Sequence, residues 1–424
     1  MKYVVIGNGI AGNTAAATIR QLDQSGEITL VSDQLHSFYS ACALPHYLAG
    51  ELKKRGLYVK TRKDYHKDGL KLAFGEKVIS LDTAARKVVL EKAALNYDKL
   101  IIASGSRPLI PPIDGVRLPG VYTFKYLDDA EGIARAIPKA AVVVGSGPIG
   151  VEAAIALTKR GAKVHVVELM GRVMPRLFDA RPASMLAEML ASHGIEALTG
   201  ERVVGIVGTE SVEGLVTDKR TIKCDLIVMA VGMRPNSEFA KEDGVAVAAR
   251  GGIVVNRQMA TSVPDVYACG DCVEAADLIT GGPSMIQLWH NAKEQGEVAA
   301  SNAAGVPRTY AGSINITSLD VFGNHAVSFG NIEADFAHQQ DIELVEKSHG
   351  ARGYHRLILK QGRIVGAQFV GDVEDMGAVL YTLLRRDSLD ELREFGDGRP
   401  AASILQQSYR FPKFLAGRRL AQQA

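Results

Sequence analysis

Two copies of the glycine pattern G-x-G-x-x-G constrain this chain more than any other feature. The first copy lies in YVVIGNGIAG, residues 3–12, and the second in AVVVGSGPIG, residues 141–150. In each copy a short apolar run leads into the glycines, and a segment rich in small residues follows. In such a strand–turn–helix unit the first glycine permits a tight turn, the second lets the backbone approach a pyrophosphate, and the third lets the helix pack on the strand. The sequence therefore predicts two dinucleotide-binding units, with these nucleotide-binding residues: Gly7, Gly9, Gly12, Gly145, Gly147 and Gly150.

An acidic residue follows each glycine pattern at the distance that such a unit needs. Asp33 comes shortly after a predicted strand over 28–31, and Glu168 ends one over 163–167. A carboxylate at this point accepts hydrogen bonds from ribose hydroxyls and repels a 2′-phosphate. Glu168 therefore favours NAD(H) over NADP(H) at the second unit, although Arg172 lies close enough in sequence to receive a phosphate.

The composition excludes several other classes of protein. A chain of 424 residues predicts about two to three domains. Lys and Arg number 49 against 47 Asp and Glu, so the basic excess of a nucleic-acid-binding protein is missing. Four cysteines do not make a disulfide scaffold, and no apolar run reaches the roughly 18 residues of a membrane span. Because no signal-peptide pattern precedes the first predicted strand, we expect a cytoplasmic protein.

Three further segments stand in a fixed order around the two glycine patterns: IIASGSRP (101–108), VMAVGMRPN (228–236) and TSVPDVYACGD (261–271). With them the chain resembles the pyridine nucleotide–disulfide oxidoreductases, flavoproteins with two dinucleotide-binding domains. The resemblance implies FAD at the first pattern, NAD(H) at the second, and contact between Asp271 and the ribityl chain of FAD. It adds these cofactor-binding residues: Ser104, Gly105, Arg107, Gly232 and Gly270.

The same resemblance implies the domain organisation. We expect an α/β fold of two Rossmann-like dinucleotide-binding domains, with the NAD domain inserted in the FAD domain, and a small α+β C-terminal domain. The expected FAD domain covers 1–112 and 236–311, the NAD domain 113–235, and the C-terminal interface domain 312–424. Within the last, residues 351–372 alternate around a Gln-Gly turn and predict a hairpin, and residues 376–395 predict a helix followed by a shorter one.

The segment HSFYSACALPHYLAGE, residues 36–51, leaves two interpretations of Cys42 open. In members that reduce coenzyme A disulfide, and in NADH oxidases, one cysteine lies over the flavin, where its thiolate can attack a disulfide. A second branch contains the flavin domain of NADH-dependent nitrite reductase and the rubredoxin and ferredoxin reductases. In its pattern an acid, a tyrosine and a leucine follow one another at fixed spacings, and Asp33, Tyr39 and Leu44 match these spacings without a gap. The Tyr-Ala-Pro-Pro segment of the disulfide-reducing branch is absent. We therefore expect Cys42 to be dispensable, with a redox-active Cys42 as the alternative.

Two other candidates have competing interpretations. In the family an acid at Glu152, two residues after Gly150, faces the nicotinamide pocket; equally, the helix dipole favours an acid in a first helical turn. Cys269 and Cys272 form a CxxC pattern, but they lie inside the predicted FAD-binding turn, and no further ligands accompany them. No metal site is therefore expected.

These observations predict an FAD-dependent NAD(H) oxidoreductase that passes electrons between NAD(H) and a protein iron–sulfur partner. Similar flavoproteins are the NAD-coupling subunits of 2-oxoacid or aldehyde oxidoreductases, so we expect a complex subunit. One alternative is a coenzyme A disulfide or persulfide reductase, or an NADH oxidase, that uses Cys42. Another is a non-catalytic FAD-binding protein. The sequence leaves open whether the chain forms a homodimer. The tail 408–424 is rich in aromatic and cationic residues and is predicted to bind the protein partner or to cover the chain's own core.

Overall fold

The structure, a computed structural model, describes residues 1–336, 341–348, 350 and 353–388. The tail 408–424 and the second, shorter helix predicted before residue 395 lie outside the described residues. The α-helices of the described part are α1 (Ile10–Leu22), α2 (Leu44–Leu48), α3 (Arg62–Lys67), α4 (Leu127–Ala136), α5 (Pro148–Lys159), α6 (Ala180–Ser192), α7 (Glu238–Glu242), α8 (Trp289–Ala303) and α9 (Met376–Arg385).

The β-strands are numbered in chain order. They are β1 (Lys2–Ile6), β2 (Glu27–Ser32), β3 (Leu70–Phe74), β4 (Val78–Asp82), β5 (Lys87–Leu90), β6 (Ala94–Asn96), β7 (Lys99–Ile102), β8 (Ser106–Pro108), β9 (Val121–Thr123), β10 (Ala140–Val144), β11 (Lys163–Glu168), β12 (Glu196–Thr199), β13 (Val203–Val207), β14 (Gly214–Thr217), β15 (Thr221–Lys223), β16 (Leu226–Met229), β17 (Met233–Pro235), β18 (Ile253–Val254), β19 (Val266–Ala268), β20 (Val273–Ala276), β21 (Pro283–Ser284), β22 (Ile316–Val321), β23 (Asn324–Gly330), β24 (Ile342–Ser348), β25 (Gly353–Lys360) and β26 (Arg363–Gly371).

The chain divides into two compact units, each assembled from separate segments. The first unit contains residues 1–110, 123–135 and 232–314, and the second contains residues 111–122, 136–231 and the described residues from 315 to 388. No helix of the described ranges is long and apolar enough to cross a membrane. The α/β fold class expected from the sequence is confirmed, whereas the three expected domain boundaries stay a prediction.

The first unit is built on a parallel sheet in the order β19-β7-β1-β2-β3. Its central strands are apolar on both faces, as a parallel sheet covered by helices requires, and Val5, Leu30 and Ile101 are fully buried. Helices α1 and α8 pack closely, and Gly296 permits this approach. Any side chain there would clash, since a Cβ on Gly296 would lie 2.5 Å from the carbonyl oxygen of Ala11. The unit also contains the antiparallel strands β4-β5-β6, the antiparallel pair β8/β17, and the mixed sheet β18-β20-β21, in which β18 pairs with β20 in parallel.

The second unit contains a parallel sheet and an antiparallel sheet. The parallel strands β12-β11-β10-β16 continue to β9, and β13-β14-β15 form a small meander. Residues after 315 form the antiparallel sheet β22-β23-β26-β25-β24. The predicted hairpin is present as β25 and β26, and Gln361 and Gly362 both have positive φ, +51° and +68°, as a two-residue type I′ turn requires.

Candidate functional site

The first glycine loop joins β1 to α1 and divides its glycines by role. Gly7 has φ +114°, and a Cβ there would lie 2.0 Å from the carbonyl oxygen of Ala103. A Cβ on Gly12 would lie 1.9 Å from the carbonyl oxygen of Gly7, so backbone packing demands glycine at both positions. A Cβ on Gly9 would meet nothing within 4 Å. The middle glycine therefore borders open space, as expected of a site that a pyrophosphate approaches.

The second glycine loop, between β10 and α5, repeats this arrangement. A Cβ on Gly145 would lie 2.4 Å from the carbonyl oxygen of Ala230, and one on Gly150 would lie 2.0 Å from that of Gly145. A Cβ on Gly147 would meet nothing within 4 Å. Because the same division of roles recurs, the two loops suit the same kind of ligand.

Both loops end in a helix N-terminus without a side-chain cap. Gly9 is the N-cap of α1 and Gly147 is the N-cap of α5, and Pro148 follows at the first helical position. The first N–H groups of a helix lack intrahelical partners, and the helix dipole is positive at this end. Each loop can therefore hold an anionic pyrophosphate, which is the group that FAD and NAD share.

The structure brings the second acid directly to its glycine loop. Glu168 is the last residue of β11, and only 8% of its surface is exposed. Its carboxylate accepts hydrogen bonds from Ser146 N (2.9 Å), Ser146 Oγ (2.7 Å) and Met170 N (2.8 Å). Asp33 follows β2 in the first unit and is exposed. Both acids stand at the carboxyl end of the strand beside the glycine strand, where a ribose is bound in such units.

Arg172, which the sequence left as a possible phosphate ligand, is engaged by its own loop. Its Nε donates to the carbonyl oxygen of Phe178 and its Nη2 to that of Pro175, each at 2.9 Å. These two bonds fix the orientation of the guanidinium within its own loop. The preference for NAD(H) over NADP(H), which rests on Glu168, stays a prediction.

The segment after β7 is tied to the segment after β16 by side-chain and backbone hydrogen bonds. Ser104 Oγ donates to the carbonyl oxygen of Asn236 at 2.6 Å, and Asn236 Nδ2 donates back to that of Ser104 at 3.0 Å. Asn236 N also donates to the carbonyl oxygen of Gly105, and Leu109 N to that of Gly232. Gly105 and Gly232 have φ of +69° and +130°, and a Cβ on either would meet nothing within 4 Å.

Arg107 makes an ion pair that its predicted role as a cofactor-binding residue did not anticipate. Its Nη2 and Nη1 contact Glu238 Oε1 at 2.5 Å and Oε2 at 3.1 Å, and Nη1 also donates to Asn236 Oδ1. The hydrogen bond from Arg107 lowers the pKa of Glu238 to about 2. The guanidinium therefore clamps two segments of the first unit together, and contact with a cofactor stays a prediction.

Asp271 has two partners that the sequence analysis missed. Its Oδ2 accepts a hydrogen bond from Ser106 Oγ at 2.8 Å and contacts Lys125 Nζ at 3.1 Å. Gln287 follows Asp271 in the chain, whereas Ser106 and Lys125 precede it. Its Nε2 donates to the Asp271 carbonyl oxygen at 2.9 Å and so helps to hold the turn. Ser106 lies within one of the quoted motifs, but nothing in the sequence pattern singled out Lys125.

Gly270 places this turn against α1. It has φ +82°, and a Cβ there would lie 2.9 Å from the Cβ of Ala11. Its N–H donates to Gln295 Oε1 at 2.8 Å, and Gln295 is buried on α8. The structure thus places Gly270 beside Ala11 of the first glycine loop, and the binding of one nucleotide by both segments stays a prediction.

Cys42 is an exposed thiol that is not part of a disulfide. It lies in a 3-10 turn over Ala41–Ala43 that leads into α2. His46 on α2 contacts Glu51 through Nδ1 at 2.7 Å. Glu152 lies in the first half of α5 and is half-buried. The catalytic roles of Cys42 and Glu152 stay predictions.

The other three cysteines are buried. Burial raises the pKa of Cys224 to about 12 and that of Cys269 well above its usual value. Burial also raises the pKa of Cys272, whose Sγ contacts the carbonyl oxygen of Cys269 at 3.2 Å. Among the described residues there is no group of three or more His, Cys, Asp or Glu arranged to hold a metal ion.

Residues 1–296 match the family model described as pyridine nucleotide-disulphide oxidoreductase. The chain belongs to this family. Residues 316–386 match a second model, the rubredoxin NAD+ reductase C-terminal domain. The protein is therefore an FAD-dependent NAD(P)H oxidoreductase, and the two glycine loops with open middle glycines fit its two dinucleotides.

Among curated relatives, an NADH oxidase of Methanocaldococcus jannaschii is 32% identical over 92% of this chain and 93% of its own. The NADH-dependent phenylglyoxylate dehydrogenase subunit epsilon of Aromatoleum evansii is 30% identical over 96% of this chain and 98% of its own. The chain spans about half the length of two Bacillus subtilis relatives, an assimilatory nitrate reductase electron transfer subunit and a nitrite reductase.

Among solved structures, an NAD-dependent persulfide reductase from A. fulgidus has a TM-score of 0.89 at 29% identity. The match covers 97% of this chain and 84% of that one. The fold is thus shared with family members whose names differ in the electron acceptor.

Proposed function

We propose that this protein passes electrons between NAD(H) and a protein iron–sulfur partner, as the flavoprotein subunit of a larger oxidoreductase of the 2-oxoacid type. One observation carries the proposal: the chain matches subunit epsilon of the phenylglyoxylate dehydrogenase over nearly the full length of both. Phenylglyoxylate is itself a 2-oxo acid. The C-terminal match to the rubredoxin reductase model adds support, because that model's name denotes reduction of a small redox protein.

The chemistry divides between the cofactor and the chain. FAD, when bound, accepts a hydride from the nicotinamide and can release electrons one at a time. The chain's task is to hold two nucleotides and to keep water and competing groups away. Gly9 and Gly147 would admit the two pyrophosphates to the helix N-termini, and Glu168 would accept hydrogen bonds from a ribose. Asp271, held by Ser106 and Lys125, would face the first nucleotide.

The arrangement of the cysteines favours a protein partner over a disulfide substrate. A dithiol mechanism needs accessible thiolates. Cys269 and Cys272 are buried, with raised pKa values, and Cys224 is also buried. Cys42 is the exposed one of the four, so any sulfur chemistry would depend on it alone.

A second candidate function follows from that exposed thiol. If Cys42 were redox-active, its thiolate would attack one sulfur of a coenzyme A disulfide or persulfide and displace the other as a thiolate or hydrosulfide, which leaves Cys42 in a disulfide with the attacked sulfur. Two electrons from NADH would then cleave that disulfide, release the attacked sulfur in reduced form and restore the Cys42 thiolate. The exposure of Cys42 in its 3-10 turn supports this candidate, as do the names of the NADH oxidase and persulfide reductase relatives.

One set of assays separates the candidates. The purified protein would be supplied with NADH and tested with a redox dye, with a ferredoxin as the iron–sulfur probe, and with coenzyme A disulfide. The proposal expects dye and ferredoxin reduction that Cys42→Ser leaves intact, with no disulfide reduction. Cys224→Ala, at a buried position, serves as the matched control for loss of a thiol.

Three outcomes would contradict the proposal. Disulfide reduction that disappears in Cys42→Ser, with a thiolate–flavin charge-transfer band that disappears too, would establish the second candidate. A second contradicting outcome is a protein that reduces the dye but not ferredoxin and that purifies from its native host without iron–sulfur subunits. That result would exclude a protein iron–sulfur partner. A protein that binds FAD yet reduces no acceptor would be non-catalytic.

A further inference from the structure

The loop over residues 169–179, which joins β11 to α6, is anchored at its middle to the second glycine loop. Met174 N donates to Ser146 Oγ at 3.0 Å, and Ser146 Oγ donates to Glu168 Oε2 at 2.7 Å. Met174 is buried and has φ +48°, a left-handed conformation that a non-glycine residue keeps only when its surroundings hold it. The 169–179 loop is thus part of the support of Glu168.

The far end of the 169–179 loop is bound to the C-terminal sheet of the same unit. Ser328 Oγ on β23 donates to the carbonyl oxygen of Leu177 at 2.6 Å. Gln368 on β26 makes two bonds to Asp179: its Oε1 accepts from Asp179 N at 3.0 Å, and its Nε2 donates to Asp179 Oδ2 at 2.6 Å. Ser328 and Gln368 are direct cross-strand partners, and both are fully buried.

These two residues belong to a row of polar side chains across four strands of the sheet. Arg356 on β25 pairs in register with Gln368, and Glu346 on β24 pairs in register with Arg356. Arg356 is 6% exposed, lies 3.7 Å from the carboxylate of Asp179 and 3.3 Å from that of Glu346, and also contacts Glu333. We call Ser328, Gln368, Arg356 and Glu346 the polar row.

The three buried members of the polar row, Ser328, Gln368 and Arg356, are costly, since apolar side chains there would avoid the desolvation of an amide and a guanidinium. Among the described residues, the hydrogen bonds that join Ser328 and Gln368 to the chain before residue 180 all go to the 169–179 loop, at Leu177 and Asp179. From there the bonds continue through Met174 and Ser146 to Glu168. A continuous set of contacts therefore joins the C-terminal sheet to the predicted ribose-binding carboxylate.

We propose that the polar row positions the pyridine nucleotide: by holding the 169–179 loop, the C-terminal sheet keeps Glu168 and Ser146 in the geometry that binds the adenosine half of NADH. The proposal does not depend on which acceptor takes the electrons, but it rests on the assignment of Glu168 as the ribose ligand. Ser328 and Gln368 are positioning residues, because they act through the loop.

The test compares NADH with reduced nicotinamide mononucleotide, which carries the same reactive ring but lacks the adenosine half. Flavin reduction is followed by stopped flow in the FAD-loaded full chain carrying Gln368→Ala or, as the milder change, Ser328→Ala. We expect the dissociation constant for NADH to rise about 3- to 10-fold for each variant, as loss of one or two buried hydrogen bonds implies. The limiting rate of reduction and the rate with the mononucleotide should stay unchanged.

Thr382→Ala is the matched control for loss of a buried hydroxyl elsewhere in the C-terminal domain. Thr382 is buried on α9, and its Oγ1 donates to the carbonyl oxygen of Ala378 within that helix. We expect Thr382→Ala to lower thermal stability while leaving the dissociation constant for NADH unchanged. Glu168→Ala is the reference for direct loss of the ribose contact.

Each alternative result has a definite meaning. If the Gln368 and Ser328 variants weaken NADH and the mononucleotide equally, their effect is general and the proposal is overturned. If Glu168→Ala weakens NADH but neither variant does, the ribose assignment stands and the positioning role is wrong. If Glu168→Ala leaves NADH binding unchanged, the ribose assignment itself fails, and the positioning role with it.

Discussion

Gly147 and Gly150 lie three residues apart at the start of α5, yet we expect alanine at the two positions to impair different properties. Gly147→Ala should weaken NADH binding, and Gly150→Ala should lower stability. Gly147 has φ −66° and ψ 176°, which alanine adopts readily, and its Cβ would meet nothing within 4 Å. Loss of the N-cap glycine should cost at most about 1 kcal/mol of folding free energy. The new methyl group, however, would stand in the space that the pyrophosphate of NADH needs.

The two magnitudes follow from the same geometry. Holding the pyrophosphate away from the α5 N-terminus would remove charge-assisted hydrogen bonds worth about 1.5–3 kcal/mol, or a roughly 10- to 100-fold weaker affinity for NADH. Gly150→Ala would instead put its Cβ 2.0 Å from the carbonyl oxygen of Gly145, and that obstacle is backbone. Overpacking of this kind costs about 1–3 kcal/mol of stability or more.

The assay pairs stopped-flow flavin reduction, which gives the dissociation constant for NADH, with thermal unfolding. Gly147→Ala should keep its FAD and nearly its full thermal stability while binding NADH poorly. Gly150→Ala should unfold several degrees lower. If Gly147→Ala binds NADH like the unaltered protein, or destabilises the fold as much as Gly150→Ala does, the reasoning from open and crowded glycines is wrong.

Three further predictions concern side chains outside the glycine loops. At pH 8 a maleimide should modify Cys42 in the native protein and all four cysteines only after unfolding, as mass spectrometry would show; modification of native Cys224 at a similar rate would contradict its burial. Lys125→Met should leave the carboxylate of Asp271 less neutralised and release FAD about 5-fold more readily in equilibrium dialysis, with Lys139→Met as the control for loss of a surface cation. Glu238→Gln should lower the free energy of unfolding at pH 7 by up to about 1 kcal/mol, a modest value because both partners are partly exposed. Since the folded pKa of Glu238 is depressed to about 2, this difference should be full above about pH 4.5 and shrink as pH falls toward 2, which denaturant titrations would follow.

The sequence predicted the parts of the site that are local in the chain. A strand, a glycine turn and the start of a helix lie within about a dozen residues, so their spacing carries the geometry of the nucleotide loop. The predicted hairpin likewise depends on neighbouring residues, since Gln361 and Gly362, both with positive φ, form its turn.

Contacts between distant residues escaped the sequence analysis. Arg107 is separated from Glu238 by 131 residues, and Asp179 from Gln368 by 189. No periodicity or spacing links such pairs, because they meet only when the sheets have assembled. For the same reason no sequence pattern indicated that Lys125 contacts Asp271.

The interleaving of the two units has a consequence for how this protein is made. Strand β7 lies in the first unit between β1 and β19, and Lys99 at its start contacts Asp265 just before β19, 166 residues later. At a synthesis rate of about 5–20 residues per second, the ribosome needs roughly 10–30 s to deliver the second neighbour of β7. Throughout that time one edge of the nascent parallel sheet has no strand to pair with, and an open edge invites pairing with other chains. Nascent chains halted before residue 266 should therefore be the species most prone to aggregate and most dependent on chaperones.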